Sequence, residues 1–293
     1  MTKVLCVGDI MLDVSAVIGS SILPGVETRA TISTQGGGAA ANVASWLSVS
    51  GTPAYLIARV GDDAAGQTVL AELDKYGVEH SQTIIPDVNT GVVIVLVDAL
   101  GERTMFPDSG ANSGLSLADL PPLDEITAVY LSGYPLVNPK SREGALDILR
   151  SVKERGLPVI FDPSTVGVLL EVGLIQVRGW LELVDVVILN EEEAHFLSGK
   201  KNPIEAAAEL LKSTPLVVIK RGGNGALAQA RGSSVVQISA IEAVVVDTTG
   251  AGDAFAAGFI LVWANGGELV DALNNGAALA AKCVAIRGAR PKS

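Results

Sequence analysis

The sequence is poor in the residues that build disulfide frameworks and histidine metal sites. It contains two cysteines, Cys6 and Cys283, and two histidines, His80 and His195, and the members of each pair are far apart in the chain. This scarcity argues against a disulfide-stapled fold and against a zinc site. Both cysteines stand in apolar runs, so we expect them to be small core residues.

Positive charge and long apolar runs are also scarce. The chain has 21 Lys and Arg against 32 Asp and Glu, a net charge of −11, which disfavours a nucleic-acid partner. The longest apolar run, Phe255–Ala264, is far shorter than the roughly 20 residues of a membrane span. The first residues, MTKVLCVGDI, show no signal-peptide pattern. We therefore expect a cytoplasmic protein with neither a nucleic-acid nor a membrane partner.

What the chain does have is an alternation of apolar strand-like runs with helical patterns. Such alternation predicts right-handed βαβ units and a mainly parallel sheet flanked by helices. The predicted strands are Val4–Ile10, Tyr55–Val60, Val129–Leu131, Val159–Phe161, Val184–Leu189 and Leu216–Ile219, and the predicted helices include Gly66–Tyr76, Arg142–Arg155 and Ile204–Lys212. Ligands of such sheets bind beyond the carboxyl ends of the strands.

Two segments, residues 14–34 and 90–107, break this pattern. They lack helical periodicity and carry β-branched residues with turn signals, and residues 90–98 with 103–106 resemble a hairpin. We predict that both segments form a small β-sheet that acts as a lid over the site; extra strands at an edge of the main sheet are the alternative. The predicted α/β core then comprises residues 1–13, 35–89 and 108–293.

The stretch Ala243–Phe259, AVVVDTTGAGDAFAAGF, predicts a strand over residues 244–246, a glycine turn and a helix. Free N–H groups at a helix N-terminus bind anions, and glycines let the backbone approach them. Asp253 at the helix start would repel a phosphate that is only held, but it could take a proton from a hydroxyl that attacks phosphorus.

This stretch therefore predicts phosphoryl transfer to an alcohol. Asp253 would be the base, and the amides of Gly250, Ala251 and Gly252 would stabilise the developing charge. The alternative is that Asp253 only caps the helix. No GxxxxGK[ST] motif occurs in the chain, and Phe255 stands where a GxGxxG dinucleotide motif needs glycine.

Two further motifs near the N-terminus could bind hydroxyl groups. Asp9 lies at the end of the first predicted strand and Asp13 just after it, and carboxylates there can accept hydrogen bonds from vicinal hydroxyls; a solvated turn is the alternative. Residues 36–44, GGGAAANVA, form a glycine turn that leads into a helix of small residues. Asn42 in that helix can both donate and accept, although a tightly packed helix would show the same composition.

Two motifs in the second half of the chain could meet a nucleotide. Asn190–Glu193 follows a predicted strand and fits a capping box, but Glu193 could instead order water around Mg²⁺. Lys220–Gly225, KRGGNG, offers a basic pair and glycines for a nucleotide. A hairpin turn leading into residues 226–230 would explain these glycines equally well.

The order of these motifs carries a resemblance to a known family. The matching stretches are GDIMLD, GGGAAANVA, RVGDDAAG, NEEEA, KRGGNG and DTTGAGDAF. Over essentially its full length the sequence resembles the ribokinase/PfkB family of carbohydrate kinases. This resemblance implies a ribokinase-like α/β fold with a β-lid, the use of ATP and Mg²⁺, activation by K⁺, and a homodimer formed through the lids.

The resemblance also implies roles for individual residues. Asp253 would be the base with Gly250–Gly252 as anion hole; Asp13, Gly37, Gly38 and Asn42 would bind the substrate; Asn190 and Glu193 would lie near the phosphates and Mg²⁺; Lys220, Gly222 and Gly225 would lie near the nucleotide; Asp247, Thr249 and the Cys283–Gly288 loop would hold K⁺. The sequence departs from the pattern at Ala39, where ribokinases commonly carry lysine, and at Lys292, where a hydroxyl often closes the cation site.

The leading hypothesis is an ATP-dependent kinase that phosphorylates a hydroxyl of a small sugar. A nucleoside of the adenosine or pseudouridine type is the rival acceptor, with Tyr134 and Phe106 as candidate aromatic contacts. A phosphorylated sugar would need cations, for which Arg29 and Arg103 in the predicted lid are candidates. A sugar- or nucleotide-binding protein of the same fold that has lost turnover is the alternative outside the enzymes.

Overall fold

The computed structural model describes residues 2–19, 21–22, 25–81 and 83–292. The strands are β1 Val4–Val7, β2 Met11–Ile18, β3 Ala30–Gly37, β4 Ala54–Ile57, β5 Arg59–Gly61, β6 Glu79–His80, β7 Thr83–Ile85, β8 Val92–Val97, β9 Arg103–Asp108, β10 Ala128–Ser132, β11 Val159–Asp162, β12 Val186–Asn190, β13 Leu216–Lys220, β14 Ala226–Ala230 and β15 Val236–Ile238. The helices are α1 Ala39–Val49, α2 Ala64–Tyr76, α3 Tyr134–Val137, α4 Arg142–Glu154, α5 Val166–Val172, α6 Leu174–Leu181, α7 Glu191–Ser198, α8 Pro203–Leu210, α9 Ala251–Trp263 and α10 Leu269–Val284.

The central sheet has nine strands in the order β15-β14-β13-β12-β11-β10-β1-β4-β6. The strands from β13 to β6 in this order run parallel, and β14 and β15 are antiparallel additions at one edge. Helices cover both faces, which lets fully apolar strands bury both sides. The mainly parallel α/β fold expected from the alternating pattern is confirmed.

Alternate residues of the buried strands pack into two separate cores. Cys6 and Tyr130 belong to the core beneath α1, α2, α9 and α10, whereas Leu5 and Leu131 belong to the core beneath α4 to α8. This follows from the two-residue period of strands, which sends neighbouring side chains to opposite faces. Cys6 and Cys283 are both buried and unpaired, as the apolar runs around them predicted.

A second, four-stranded sheet has the order β3-β2-β8-β9. The strands β8 and β9 form the predicted antiparallel hairpin, and the carboxylate of Asp98 accepts hydrogen bonds from the backbone N–H groups of Leu100 and Glu102 in its turn. The strands β2 and β3 reach beyond residues 14–34 at both ends. Within that segment, Ser20, Leu23 and Pro24 lie outside the described residues. The division into core and lid remains a prediction.

The strand predicted over residues 244–246 is wrong. These three valines lie in an irregular segment and are exposed, Val244 by 80%. A β-branched run becomes a strand only where a neighbouring strand can pair with it. Here the segment is held by hydrogen bonds that Val246 and Asp247 donate to the carbonyl of Val284 at the end of α10.

None of the helices in the described part of the chain is both long enough and apolar enough to cross a bilayer.

Candidate active site

Polar side chains gather at the carboxyl edge of five adjacent strands. Asp9 follows β1, Ser132 ends β10, Asp162 ends β11, Asn190 ends β12 and Lys220 ends β13. The hydroxyl of Ser132 donates to Asp9 Oδ1 at 3.3 Å, and Asp9 is itself buried. This edge is where an open parallel sheet presents its ligand site.

The N-terminus of α9 points at the same edge. The helix packs against α1 and α10 with buried alanines and phenylalanines, which fixes its direction. Gly250 caps it with a φ of 75°, and a Cβ at this position would lie 2.5 Å from that of Ala289. Glycine is therefore required at the turn both by its dihedral angle and by the close approach of the loop around Ala289.

Asp253 lies in the first turn of α9, and its Oδ2 accepts a hydrogen bond of 2.8 Å from Nδ2 of Asn42 in α1. Burial raises the pKa of Asp253 to about 7, and the nearby Asp162 and Asp9 act in the same direction. The hydrogen bond from Asn42 and the charge of Lys220 oppose this rise. A carboxylate with this pKa is a stronger base than an ordinary aspartate and is still ionised in part near neutrality.

Lys220 is surrounded by Asp162, Glu193 and Asp253. Its Nζ donates to Asp162 Oδ2 at 2.7 Å, and burial, which lowers the lysine pKa, is outweighed by Asp162 and Glu193, so that the pKa is raised. A Cβ at Gly252 would come within 3.2 Å of this ammonium group. Lys220 is therefore a fixed positive charge beside the first turn of α9.

Glu193 forms the capping box predicted for α7. Asn190 donates to both carboxylate oxygens of Glu193, from its backbone at 2.8 Å and from its side chain at 2.6 Å, and accepts from the backbone of Glu193. Burial and the charge of Asp162 raise the pKa of Glu193 to about 8. Because both oxygens are engaged, this carboxylate fits Mg²⁺ through the waters of the ion rather than as a direct ligand.

The glycines of residues 222–225 lie in the hairpin between β13 and β14, which was the alternative interpretation of this motif. Gly222 and Gly225 have φ angles of 54° and 85°. A side chain at Gly225 would collide with the backbone of Ile238. The turn itself therefore requires these glycines, and their contact with a nucleotide stays a prediction.

The structure brings together the residues predicted to bind the substrate. A Cβ at Gly37 would collide with the carboxylate of Asp13, and Gly38, with a φ of 94°, leaves room for the backbone of Asp9. The amide of Ala39 donates to Asp9 Oδ2 at 3.3 Å. Burial raises the pKa of Asp13 to about 6, against the opposing charge of Arg290.

Arg290 is a residue that the sequence analysis did not single out. Its buried guanidinium donates to Oε2 of Glu72 at 2.9 Å, to the carbonyl of Gly37 at 2.9 Å and to Oδ1 of Asn42 at 3.3 Å. It thereby orients the Asn42 amide so that the nitrogen faces Asp253. No local sequence pattern predicts this role, because Arg290 and Asn42 are 248 residues apart.

Asp247 and Thr249, predicted to hold K⁺, contact each other and Arg103 of the small sheet. Asp247 Oδ1 accepts hydrogen bonds from the backbone and hydroxyl of Thr249 and from Arg103 of β9, and Oδ2 accepts from the backbone of Gly288. The thiol of buried Cys283 faces the carbonyl of Thr249 at 3.4 Å. These contacts do not fit a monovalent cation on the Asp247 carboxylate.

The remaining candidates divide between the site and the surface. Tyr134 at the start of α3 is 39% exposed as a residue, but desolvation of its hydroxyl together with the charges of Asp9 and Asp253 raises the pKa of that hydroxyl. Phe106 pairs with Ile94 in the small sheet, both about half exposed. Arg29 is exposed just before β3.

Comparison with known proteins identifies the family. The model of the pfkB family of carbohydrate kinases matches residues 1–293. This chain belongs to that family. An ATP-dependent ribose-1-phosphate kinase from Halopiger xanaduensis is 31% identical, over 99% of this chain and 94% of its own length. Membership makes this protein a phosphotransferase that acts on a hydroxyl group.

Solved structures of the same fold agree. A probable sugar kinase from Rhizobium etli has a TM-score of 0.89 at 24% identity, covering 100% of this chain and 96% of that one. A putative ribokinase II from Escherichia coli, solved with ATP and Mg²⁺, has a TM-score of 0.85 at 25% identity, covering 99% of this chain and 94% of that one. The ribokinase-like fold predicted from the motifs is confirmed.

Proposed function

We propose that this member of the family is an ATP-dependent sugar kinase in which Asp253 is the general base. The observation that carries the proposal is the position of Asp253, which lies in the first turn of α9 with a pKa raised to about 7. A base of this strength can accept a proton from an alcohol as the alcohol attacks phosphorus near neutral pH.

The transfer moves one proton and one phosphoryl group. The acceptor hydroxyl gives its proton to Asp253, its oxygen bonds to the γ-phosphorus, and the bond from phosphorus to the β,γ-bridging oxygen breaks to release ADP. In this proposal the N-terminal amides of α9, from Gly250 to Gly252, stabilise charge on the transferring group.

In this proposal ATP binds at the carboxyl ends of β12 and β13. Lys220 supplies a positive charge for the phosphates, and the hairpin of Gly222 and Gly225 borders the nucleotide. Asn190 and Glu193 would hold waters of the Mg²⁺ bound with ATP, and this ion would neutralise phosphate charge. In the described part of the chain, no three His, Cys, Asp or Glu side chains are grouped so that they alone could hold a metal ion.

The acceptor that the site supports best is an uncharged sugar. Asp13 and Asn42 offer the acceptors and donors that hydroxyl groups need. A phosphorylated sugar would need an available cation; Arg103 is paired with Asp247 and Arg290 with Glu72, which leaves exposed Arg29 as the candidate from the predicted lid. A nucleoside is the second candidate because Tyr134, partly exposed beside the acids of the site, could stack on a base.

The test is ADP release from ATP·Mg²⁺ with ribose, fructose, 2-keto-3-deoxygluconate, ribose 1-phosphate, fructose 6-phosphate, adenosine and pseudouridine. We expect turnover with one of the uncharged sugars and its loss in Asp253→Asn. The matched control is Asp271→Asn, which changes an exposed aspartate in the first turn of α10. Turnover only with a phosphorylated sugar or a nucleoside would overturn the acceptor, and full activity of Asp253→Asn would overturn the base.

A further inference from the structure

We propose that Arg103 serves as a built-in cation of the loop 247–250, in the place where the family resemblance implies K⁺, and that this protein therefore needs no monovalent metal. The inference concerns the loop that precedes α9. It rests on the proposed function only in so far as that loop borders the site of phosphoryl transfer, and its main test does not require turnover.

The contacts of Arg103 are those of a fixed cation. Its Nη2 donates to Asp247 Oδ1 at 2.6 Å and its Nη1 donates to Thr249 Oγ1 at 2.6 Å. The side chains of Arg103 and Asp247 are 27% and 16% exposed, so the pair is largely removed from water. A guanidinium fork that binds two oxygens through two nitrogens is a strong and directional arrangement.

The Asp247 carboxylate has little left to offer a metal ion. Besides Arg103, Oδ1 accepts from the backbone and hydroxyl of Thr249, and Oδ2 accepts from the backbone of Gly288 at 3.0 Å. A second cation near Oδ1 would also meet the positive charge of the guanidinium at close range. The anion that would attract K⁺ is therefore already neutralised from within the chain.

Arg103 belongs to the small sheet, so its ion pair with Asp247 also links that sheet to the loop before α9. It pairs with Val97 of β8, whose neighbour on β2 is Val17, and Asp13 lies four residues earlier on β2. Because alternate residues of a strand share a face, Arg103 and Asp13 lie on the same face of the small sheet. The small sheet therefore carries both Asp13, proposed to bind the substrate, and Arg103. Closure of this sheet over the site would bring both side chains into position together.

The experiment is thermal unfolding without nucleotide or sugar, in buffers of equal ionic strength that contain tetramethylammonium, Na⁺ or K⁺. We expect the Tm of the wild type to be the same in all three. Arg103→Met removes the charge but keeps the length of the side chain, and we expect its Tm to fall by about 2–4 °C in tetramethylammonium. K⁺ or millimolar guanidinium should restore the Tm of Arg103→Met by binding where the guanidinium group of Arg103 was. The Tm of Arg103→Lys should fall less.

The control is Arg150→Met, which breaks the exposed pair of Arg150 with Asp147 on α4. We expect its Tm to show no response to K⁺ or guanidinium. Stabilisation of the wild type by K⁺ over tetramethylammonium would overturn the inference, and so would an Arg103→Met variant that neither K⁺ nor guanidinium restores. Once an acceptor is known, wild-type turnover should be equal in K⁺ and tetramethylammonium, whereas Arg103→Met should depend on K⁺. An absence of kinase activity would count against the proposed function and leave the Tm result standing.

Discussion

Asp247, in the loop before α9, and Asp253, in the first turn of that helix, have opposite pKa shifts. Asp247 accepts hydrogen bonds from Thr249, Gly288 and Arg103. These donors outweigh its burial and hold its pKa below the ordinary value. Asp253 accepts one side-chain hydrogen bond, from Asn42, and faces further acids, so its burial raises its pKa to about 7.

Asp247 and Asp253 differ both in the number of their hydrogen-bond donors and in how completely they are removed from water. Burial disfavours the charged form of both carboxylates, and it does so more strongly for Asp253. For Asp247, several hydrogen-bond donors offset the cost of desolvation, so it stays an anion that holds the loop. For Asp253, the single side-chain donor offsets this cost only in part, so it can take up a proton.

The largest expected effect is the loss of turnover when Asp253 is replaced. Asp253→Asn keeps the shape of the side chain but cannot accept the proton, so we expect kcat to fall by roughly 10²–10⁴. Affinity for ATP, measured by isothermal titration calorimetry, should change little because Asp253 serves the acceptor. Asp271→Asn, in the first turn of α10, should match the wild type in both measurements. A kcat within a few-fold of wild type would remove Asp253 from the mechanism.

The same substitution should raise stability at alkaline pH. Because the folded-state pKa of Asp253 lies above its unfolded value, the group favours folding only below about pH 4, and this contribution is lost as pH rises through 7. Asp253→Asn has no such loss, so we expect its free energy of unfolding at pH 8 to exceed that of the wild type by about 2–4 kcal/mol. Urea unfolding at pH 5 and pH 8 measures the difference, which should shrink at pH 5. An equal difference at both pH values would contradict the raised pKa.

Removal of the other aspartate should destabilise the protein. Asp247→Ala leaves the backbone donors of Thr249 and Gly288 and the guanidinium of Arg103 without their acceptor, so we expect a loss of about 2 kcal/mol in the free energy of unfolding. Asp247→Asn, which keeps an acceptor oxygen, should lose less. Asp147→Ala, in an exposed pair on α4, is the control and should stay within about 0.5 kcal/mol of wild type in urea unfolding. A neutral Asp247→Ala would show that the donors find other partners.

The smallest effect concerns the pH profile. Because Asp253 must be ionised to act as base, kcat/KM should decline below about pH 7. Asn42→Ala removes the hydrogen bond that lowers the pKa of Asp253, so the acidic limb should move to higher pH. Asn275→Ala is the control, because the Asn275 side chain donates its hydrogen bond to the carbonyl of Gly258, further along α9. A limb that stays in place in Asn42→Ala would mean that Asn42 does not tune the base.

The sequence by itself determined the architecture of the core and most of the candidate site. Apolar runs located six of the strands that build the central sheet, and their turn residues located the polar edge. The glycine turn before Asp253 and the small-residue helix around Asn42 were recognisable because dihedral angles and helix caps are local properties. The family resemblance implied that Asn42 and Asp253 belong to one site, but their hydrogen bond of 2.8 Å across 211 residues was not predicted.

The tertiary structure alone decided which distant charges meet. Nothing in the sequence pairs Arg103 with Asp247, 144 residues apart, or places Asp162 under Lys220 and Arg290 behind Asn42. It also decided that residues 244–246 lie exposed rather than in a strand, although their composition favours one. Local patterns record the preference of each segment, whereas pairing and salt bridges depend on which other segment folding brings to it.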